Sequence, residues 1–156
     1  MTYTSVDIAR YIIAFANQKG KSINMTKLQK LLYITYGIYL AVNDSRLFEE
    51  HPQAWPYGPV FPTTRNKLLN TDFYGIAINS QEFEVLRSDQ DINNLIDLVF
   101  RSFGDLTASQ LTEWSHRNGS PWERTVELEG FTWGNRIPDD FIKPYFKMII
   151  GRDGGE

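Results

Sequence analysis

Cysteine is absent from the 156-residue chain, which excludes a disulfide framework, a thiolate zinc site and a cysteine nucleophile together and fits a reducing cytoplasm. Basic charge is short as well. Lys and Arg number 16 against 19 Asp and Glu, a net of −3, so no general basic coat is available for nucleic acid. Long apolar runs are also missing. The most apolar stretch, Leu31 to Val42, includes Thr35 and Gly37 and falls well short of the about 20 residues that a hydrocarbon core requires. It is expected as a buried helix, with no membrane partner. Met1 to Ser5 lacks the basic start and apolar core of a signal peptide, and Asp7 adds a charge just behind it, so a cytoplasmic protein is expected.

Residues equipped for chemistry are few. The bases available to a nucleophile are His51 and His116, and no Gly-x-Ser-x-Gly elbow accompanies them. Ser115 adjoins His116, but neighbouring helical side chains do not face each other. Glu113 and His116 form Glu-x-x-His on one helix face, a motif that di-metal bundles use twice together with two further glutamates; here it occurs once. His51 lies beside Glu49 and Glu50 without a further ligand. Neither glycine-rich phosphate motif is present. No catalytic residue, metal site or cofactor is therefore expected.

Aromatic residues, by contrast, are plentiful: 10 Phe, 8 Tyr and 4 Trp make up 14% of the chain. Their positions follow from the helical pattern. Thr4 and Asp7 open a first helix, stopped by Gly20, with Ile8, Ile12, Phe15 and Ala16 on one face. Asn24 or Thr26 caps a second, apolar nearly all round from Leu31, with Lys27, Gln29 and Lys30 confining polar character to its first turns. Asn43-Asp44-Ser45 breaks it. Four prolines between Leu47 and Thr63 require an ordered loop with a short strand at Gln53 to Trp55. Pro62 then starts a short third helix. The spacing next predicts a small hairpin from Tyr74-to-Ile78 and Phe83-to-Val85 strands, a helix from Ser88 or Asp89 to Gly104, and another from the Thr107/Gln110 capping box to near Gly119. Ser120 to Glu123 is expected as a turn, Glu127 to Asn135 as a loop, and Pro138 to about Ile150 as a last helix with a kink at Pro144. The expected fold is mainly α: a compact single-domain bundle of about six helices over residues 1–150 with at most a small β-hairpin, followed by a frayed tail at 151–156.

Two surfaces are candidates for binding. Residues 1–40 carry Arg10, Lys19, Lys21, Lys27 and Lys30 against Asp7 alone, a net of +4 that leaves −7 elsewhere. With a basic helix start at Lys27 and Lys30, this resembles a helix-turn-helix element. The Lys19-to-Asn24 connection is longer than the usual turn, however, and the helix behind it is too apolar for a groove. A solvated basic helix end is the plainer reading. The other candidate is Trp55-Pro56-Tyr57-Gly58-Pro59-Val60-Phe61-Pro62, a stiff segment poor in charge. It either covers the core or forms a preorganised binding surface, because rigid aromatics lose little entropy on association. Trp122, behind Pro121, poses the same choice, as do Phe131 and Trp133.

Lys27-Leu28-Gln29-Lys30-Leu31-Leu32-Tyr33, Phe48-Glu49, Ala54-Trp55-x-Tyr57-Gly58-Pro59-Val60-x-Pro62 and Leu111-Thr112-x-Trp114-Ser115-His116-x-x-Gly119-Ser120-Pro121-Trp122 occur in that order. Together they resemble the Panacea domain, the SocA-like domain of antitoxin and phage-associated proteins, over roughly residues 5 to 148. The resemblance implies a mainly helical module that neutralises a cognate protein toxin by direct binding. It also implies one alternative, an adaptor that delivers a toxin to a bacterial protease; the charge of the basic N-terminal helices keeps a second, a DNA-binding regulator working through them. Some relatives carry an added DNA-binding domain, for which this length leaves no room. No catalytic residue carries over. The matching positions Lys27, Gln29, Trp55, Gly58, Pro59, His116, Pro121 and Trp122 serve either scaffold or contact. With Lys30, Tyr57 and Phe61 joining the contact candidates, the partner-binding set becomes Lys27, Lys30, Trp55, Tyr57, Gly58, Pro59, Phe61, His116, Pro121 and Trp122. Exposed aromatics would equally serve a homodimer.

Overall fold

Apolar residues around the whole circumference of a helix leave it no solvent face, so it must sit at the centre of its fold. The computed structural model, which describes residues 3–154, places α2 (Met25–Asn43) there, with every residue from Leu28 to Ile38 buried. Around it pack α1 (Ser5–Gln18), α5 (Gln90–Phe103), α6 (Ala108–His116) and α8 (Asp139–Gly154). Between α2 and α5 lie β1 (Gln53–Trp55), β2 (Gly58–Val60), α3 (Pro62–Leu68) and α4 (Glu84–Ser88), and α7 (Pro121–Val126) joins α6 to α8. The architecture is the expected one, a helical bundle with one small antiparallel hairpin, in which Gln53 pairs with Val60, Ala54 with Pro59 and Trp55 with Gly58.

The helix ends obey the polar signals in the sequence. Thr4 and Asp7 close a reciprocal capping box on α1 at 2.9 and 3.1 Å, Thr107 and Gln110 do so on α6, and Asn24 and Asp89 cap α2 and α5. Each satisfies amide donors that have no partner within their helix. α8 continues through Pro144. The frayed tail expected at 151–156 falls partly outside the described residues, while the helix itself reaches Gly154.

Two local expectations are corrected. Residues 70–87 form no hairpin: Phe73–Gly75 and Gln81–Phe83 are single 3-10 turns leading into α4. The cause is lateral. Asn17 of α1 donates its side-chain amide to the carbonyls of Phe73 and Ile76 at 2.7 and 2.9 Å, while Asp72 caps the Tyr74 amide. Ser120 to Glu123 is likewise no turn but the start of α7, with the Ser120 hydroxyl accepting from the Glu123 amide and Pro121 in the first turn. α6 consequently ends at His116, short of Gly119.

Aromatic side chains supply most of the bulk beneath the hairpin. Tyr36, Phe48 and Phe61 form a triangle with centroids 5.3 to 5.6 Å apart, within the range in which ring quadrupoles attract. The Tyr36 hydroxyl donates to Asp139 at 2.6 Å, tying α2 to the start of α8. Gly37 lets α8 approach: a Cβ there would lie 2.3 Å from the Phe146 ring.

Candidate functional site

The hairpin, α7 and the loop between α7 and α8 meet on one side of the bundle. β1 is held along both edges. Besides β2, it meets residues 134–137, where the Ala54 amide donates to Asn135 at 2.8 Å, Gly134 donates to Ala54 at 2.9 Å, and Gln53 bridges Arg136. Main-chain bonding on two sides gives a three-residue strand rigidity it would lack as a free ribbon. The Trp122 indole donates to the Trp55 carbonyl at 2.8 Å and fixes α7 to the same strand.

Three polar side chains at the start of α2 support this assembly from below. The Lys27 ammonium donates to the Gly104 carbonyl at 2.6 Å, where α5 ends, a favourable position for a cation beside unpaired carbonyls. The Gln29 side-chain oxygen accepts from the Phe61 amide at 2.8 Å in the interior, satisfying a donor at the junction of hairpin and α3. Lys30 lies under Gly58. It is only 2% exposed, and no carboxylate among the described residues comes within ion-pairing distance. Burial alone pushes its ammonium down to about 8. Gly58 has φ +117, and a Cβ there would meet Lys30 Cε at 2.7 Å and Ser115 Oγ at 2.8 Å. Glycine is thus required twice over, by conformation and by the stem of Lys30.

His116 stacks flat on Trp122, centroids 3.7 Å apart with 12° between planes. Its Nε2 is buried and has no hydrogen-bond partner. Its proton affinity is lowered, first by burial and then by the charge of Lys30. Glu113 is exposed and supplies no partner. Ser115 donates to the Thr112 carbonyl at 2.8 Å rather than to the imidazole.

The ten residues expected from sequence therefore divide by depth. Tyr57 is 75% exposed at the hairpin tip; Trp55, Trp122 and His116 are half-buried. Gly58, Pro59 and Pro121 are buried under the surface they shape, and Phe61 and Lys30 lie in the interior. Lys27 is half-buried in its helix-end contact. Trp133 belongs with the exposed group, at 56% exposure; it lies 6.2 Å from Trp122 and 5.1 Å from Phe131 between centroids. His116, Trp122, Trp133 and Phe131 thus form one aromatic cluster, tied to the Trp55 main chain by the Trp122 indole, with Tyr57 exposed at the hairpin tip.

The basic N-terminal region has a different fate. Arg10 pairs with Glu82 at 2.7 Å, Lys19 with Asp97 at 3.9 Å, and Lys21 with Asp105, while Lys27 and Lys30 are engaged or buried as described. Four of the five cations are thus engaged within the fold and the fifth, Lys30, is buried, so the helix start read as solvated basic surface is interior at Gln29 and Lys30. The signal for this lay in the sequence as polar residues on an otherwise wholly apolar helix, but their partners are remote in the chain.

Residues 28–123 match the family model described as "Antitoxin SocA-like, Panacea domain". Antitoxin SocA of Caulobacter vibrioides (strain NA1000 / CB15N) is 35% identical over 137 residues, covering 81% of this chain and 73% of that protein. No solved structure matches.

Proposed function

Because the chain belongs to the antitoxin SocA-like, Panacea-domain family, we propose that it is an antitoxin that neutralises a cognate protein toxin by binding it directly. The observation that carries the reading is the family match, which spans both the hairpin and the His116-to-Trp122 segment. Tyr57, Trp55, Trp122 and Trp133 form the contact face. Large rings anchored at one edge and open at the other combine contact area with little entropy loss, and aromatic anchors dominate interface energetics. Gly58, Pro59, Phe61, Pro121, Lys27 and Lys30 hold that face in shape. His116 acts through Trp122, whose ring it backs.

The protein coded beside this one is the natural candidate partner. Co-expression of the two should relieve growth arrest caused by the neighbour alone, and tagged antitoxin should retain it through size-exclusion chromatography. Arrest unrelieved by co-expression, with no co-elution, would remove the assignment.

A further inference from the structure

Three neighbouring cavities join into one groove, which shares no lining residue with the hairpin or the aromatic cluster. The first, of about 340 Å³, lies between α2 and α5 and is walled by Ile38, Val42, Leu95 and Leu98. Because α2 stays apolar into its last turn, Val42 emerges there 65% exposed, and Leu98 of α5 is 37% exposed. The second cavity, also about 340 Å³, shares Tyr39, Asn43 and Asp91 with the first and continues to Tyr3 and Asp89. The third, about 250 Å³, meets the second at Tyr3 and is bordered by Asp7, Glu82 and the exposed Val85.

Every charged residue lining the groove is acidic: Asp7, Glu82, Asp89 and Asp91. Arg10 offsets Glu82 through two bonds of 2.7 and 3.0 Å. Arg87, next to the lining residue Leu86, instead donates to the Ile78 and Ser80 carbonyls. The remaining three carboxylates pair with no cation among the described residues. Two of them are held in fixed positions, Asp7 by the capping box of α1 and Asp89 by the Ile92 amide and the Tyr3 hydroxyl, the latter at 2.7 Å. Asp91 stands exposed in the first turn of α5. Glu113, Glu127 and Glu129 are exposed as well, but they line none of the three cavities.

An apolar trench edged by unpaired carboxylates is complementary to a chain segment bearing apolar and cationic side chains together. A metal ion does not answer the description, since among the described residues no three acidic or histidine side chains gather to hold one. Phosphates of nucleic acid are repelled by the same carboxylates. We propose that the groove is the docking site for a basic amphipathic segment of a partner protein. Its apolar side chains cover Val42, Leu98 and Val85, and its Lys or Arg side chains meet Asp7, Asp89 and Asp91. The inference does not rest on the antitoxin reading, and its failure leaves that reading untouched.

The full chain, isotope-labelled, is titrated with a capped amphipathic leucine–lysine helix peptide, its leucine–glutamate counterpart and capped hexalysine at matched ionic strength, and backbone amides are followed by nuclear magnetic resonance. The leucine–lysine peptide should shift Val42, Asp91, Asn94 and Leu98 saturably and leave the Trp122 and Trp133 indoles in place. Hexalysine, lacking apolar side chains, should bind at least tenfold more weakly, and the glutamate peptide should shift none. Val42→Lys/Asp91→Asn, folded by circular dichroism, should weaken the leucine–lysine response at least tenfold. Asp91→Asn alone, which leaves the walls intact, should weaken it at least threefold, and Glu113→Gln, the same charge change outside the groove, should not. Shifts that are absent, that spread over every acidic surface, or that persist in the Asp91 variants overturn the proposal. So does movement of the groove amides on raising the protein concentration alone, with a dimer in ultracentrifugation, because a second copy then covers the groove.

Discussion

Replacing Lys30 by methionine should stabilise the protein, although the residue lies at the centre of a family motif. In the folded state the ammonium has its pKa pushed from 10.5 to about 8 by burial, and no carboxylate among the described residues offsets that loss of solvation. The difference of about 2.5 units corresponds to roughly 3 kcal/mol. Between the two pKa values the unfolded chain holds more protons than the folded one, so stability rises with pH across that window. Below pH 8 both states are protonated and the full penalty is present; above 10.5 neither is, and it vanishes. Methionine keeps the length of the stem beneath Gly58 and removes the charge. Lys30→Met should therefore gain about 3 kcal/mol at pH 7, equivalent to roughly 6 to 12 °C in Tm for a chain of this size, and the gain should shrink steadily from pH 8 to 9.5. Comparing variant with wild type at each pH cancels the buried tyrosines, whose hydroxyls are pushed upward by burial. Urea denaturation followed by tryptophan fluorescence reads the difference. A less stable Lys30→Met variant, or a gain independent of pH, would refute an uncompensated buried cation at this position.

Gly58→Ala places a side chain at φ +117 and against Lys30 and Ser115, and a loss of about 2 kcal/mol or more is expected from chemical denaturation. Gln29→Leu leaves the buried Phe61 amide without its acceptor; the expected cost is about 1–3 kcal/mol in the same assay, with the hairpin amides exchanging faster with deuterium. Because Arg10, Lys19, Lys21 and Lys27 are engaged and Lys30 is buried, binding to the protein's own promoter should show no steep salt dependence, and Lys27→Ala should lower stability rather than DNA affinity, as a mobility-shift titration would read. If the protein delivers its toxin to a protease, toxin half-life should shorten in its presence, whereas occlusion leaves it unchanged or longer; a chase with the protease present and deleted separates the two.

Periodicity and capping signals act within a few residues of one another, and that is where sequence reading succeeded. Thr4, Asn24, Asp89 and Thr107 each mark a helix start, and the circumferential apolarity of α2 correctly implies its central place. The short strand at Gln53 to Trp55 followed from proline placement, but its pairing with Gly58 to Val60 did not. What sequence could not supply were interactions spanning the chain. The Tyr74-to-Ile78 stretch alternates well enough for a strand, but Asn17, remote in sequence, takes the carbonyls a partner strand would need. Lys30 reads as a solvated helix-start lysine because nothing nearby in sequence indicates that Gly58 and Ser115 close over it. The aromatic residues show the same division. Phe15, Tyr36 and Phe100 are buried as their helical spacing implies, whereas Phe61 and Tyr57, on one proline-rich segment, end at opposite extremes of exposure. Only the packing of α7 and the late loop against β1 decides which rings remain open, and it adds Trp133 to them.

Rescue by a variant lacking the open rings tests the central claim most directly. Tyr57 and Trp133 are largely exposed, so Tyr57→Ala/Trp133→Ala removes contact area while leaving the Trp122–Trp55 hydrogen bond and the His116 stack in place. Circular dichroism and Tm should match wild type, and affinity for the co-expressed toxin, measured by calorimetry, should fall at least a hundredfold with loss of growth rescue. A folded double variant that binds and rescues like wild type would contradict the account and place the toxin contact on another face.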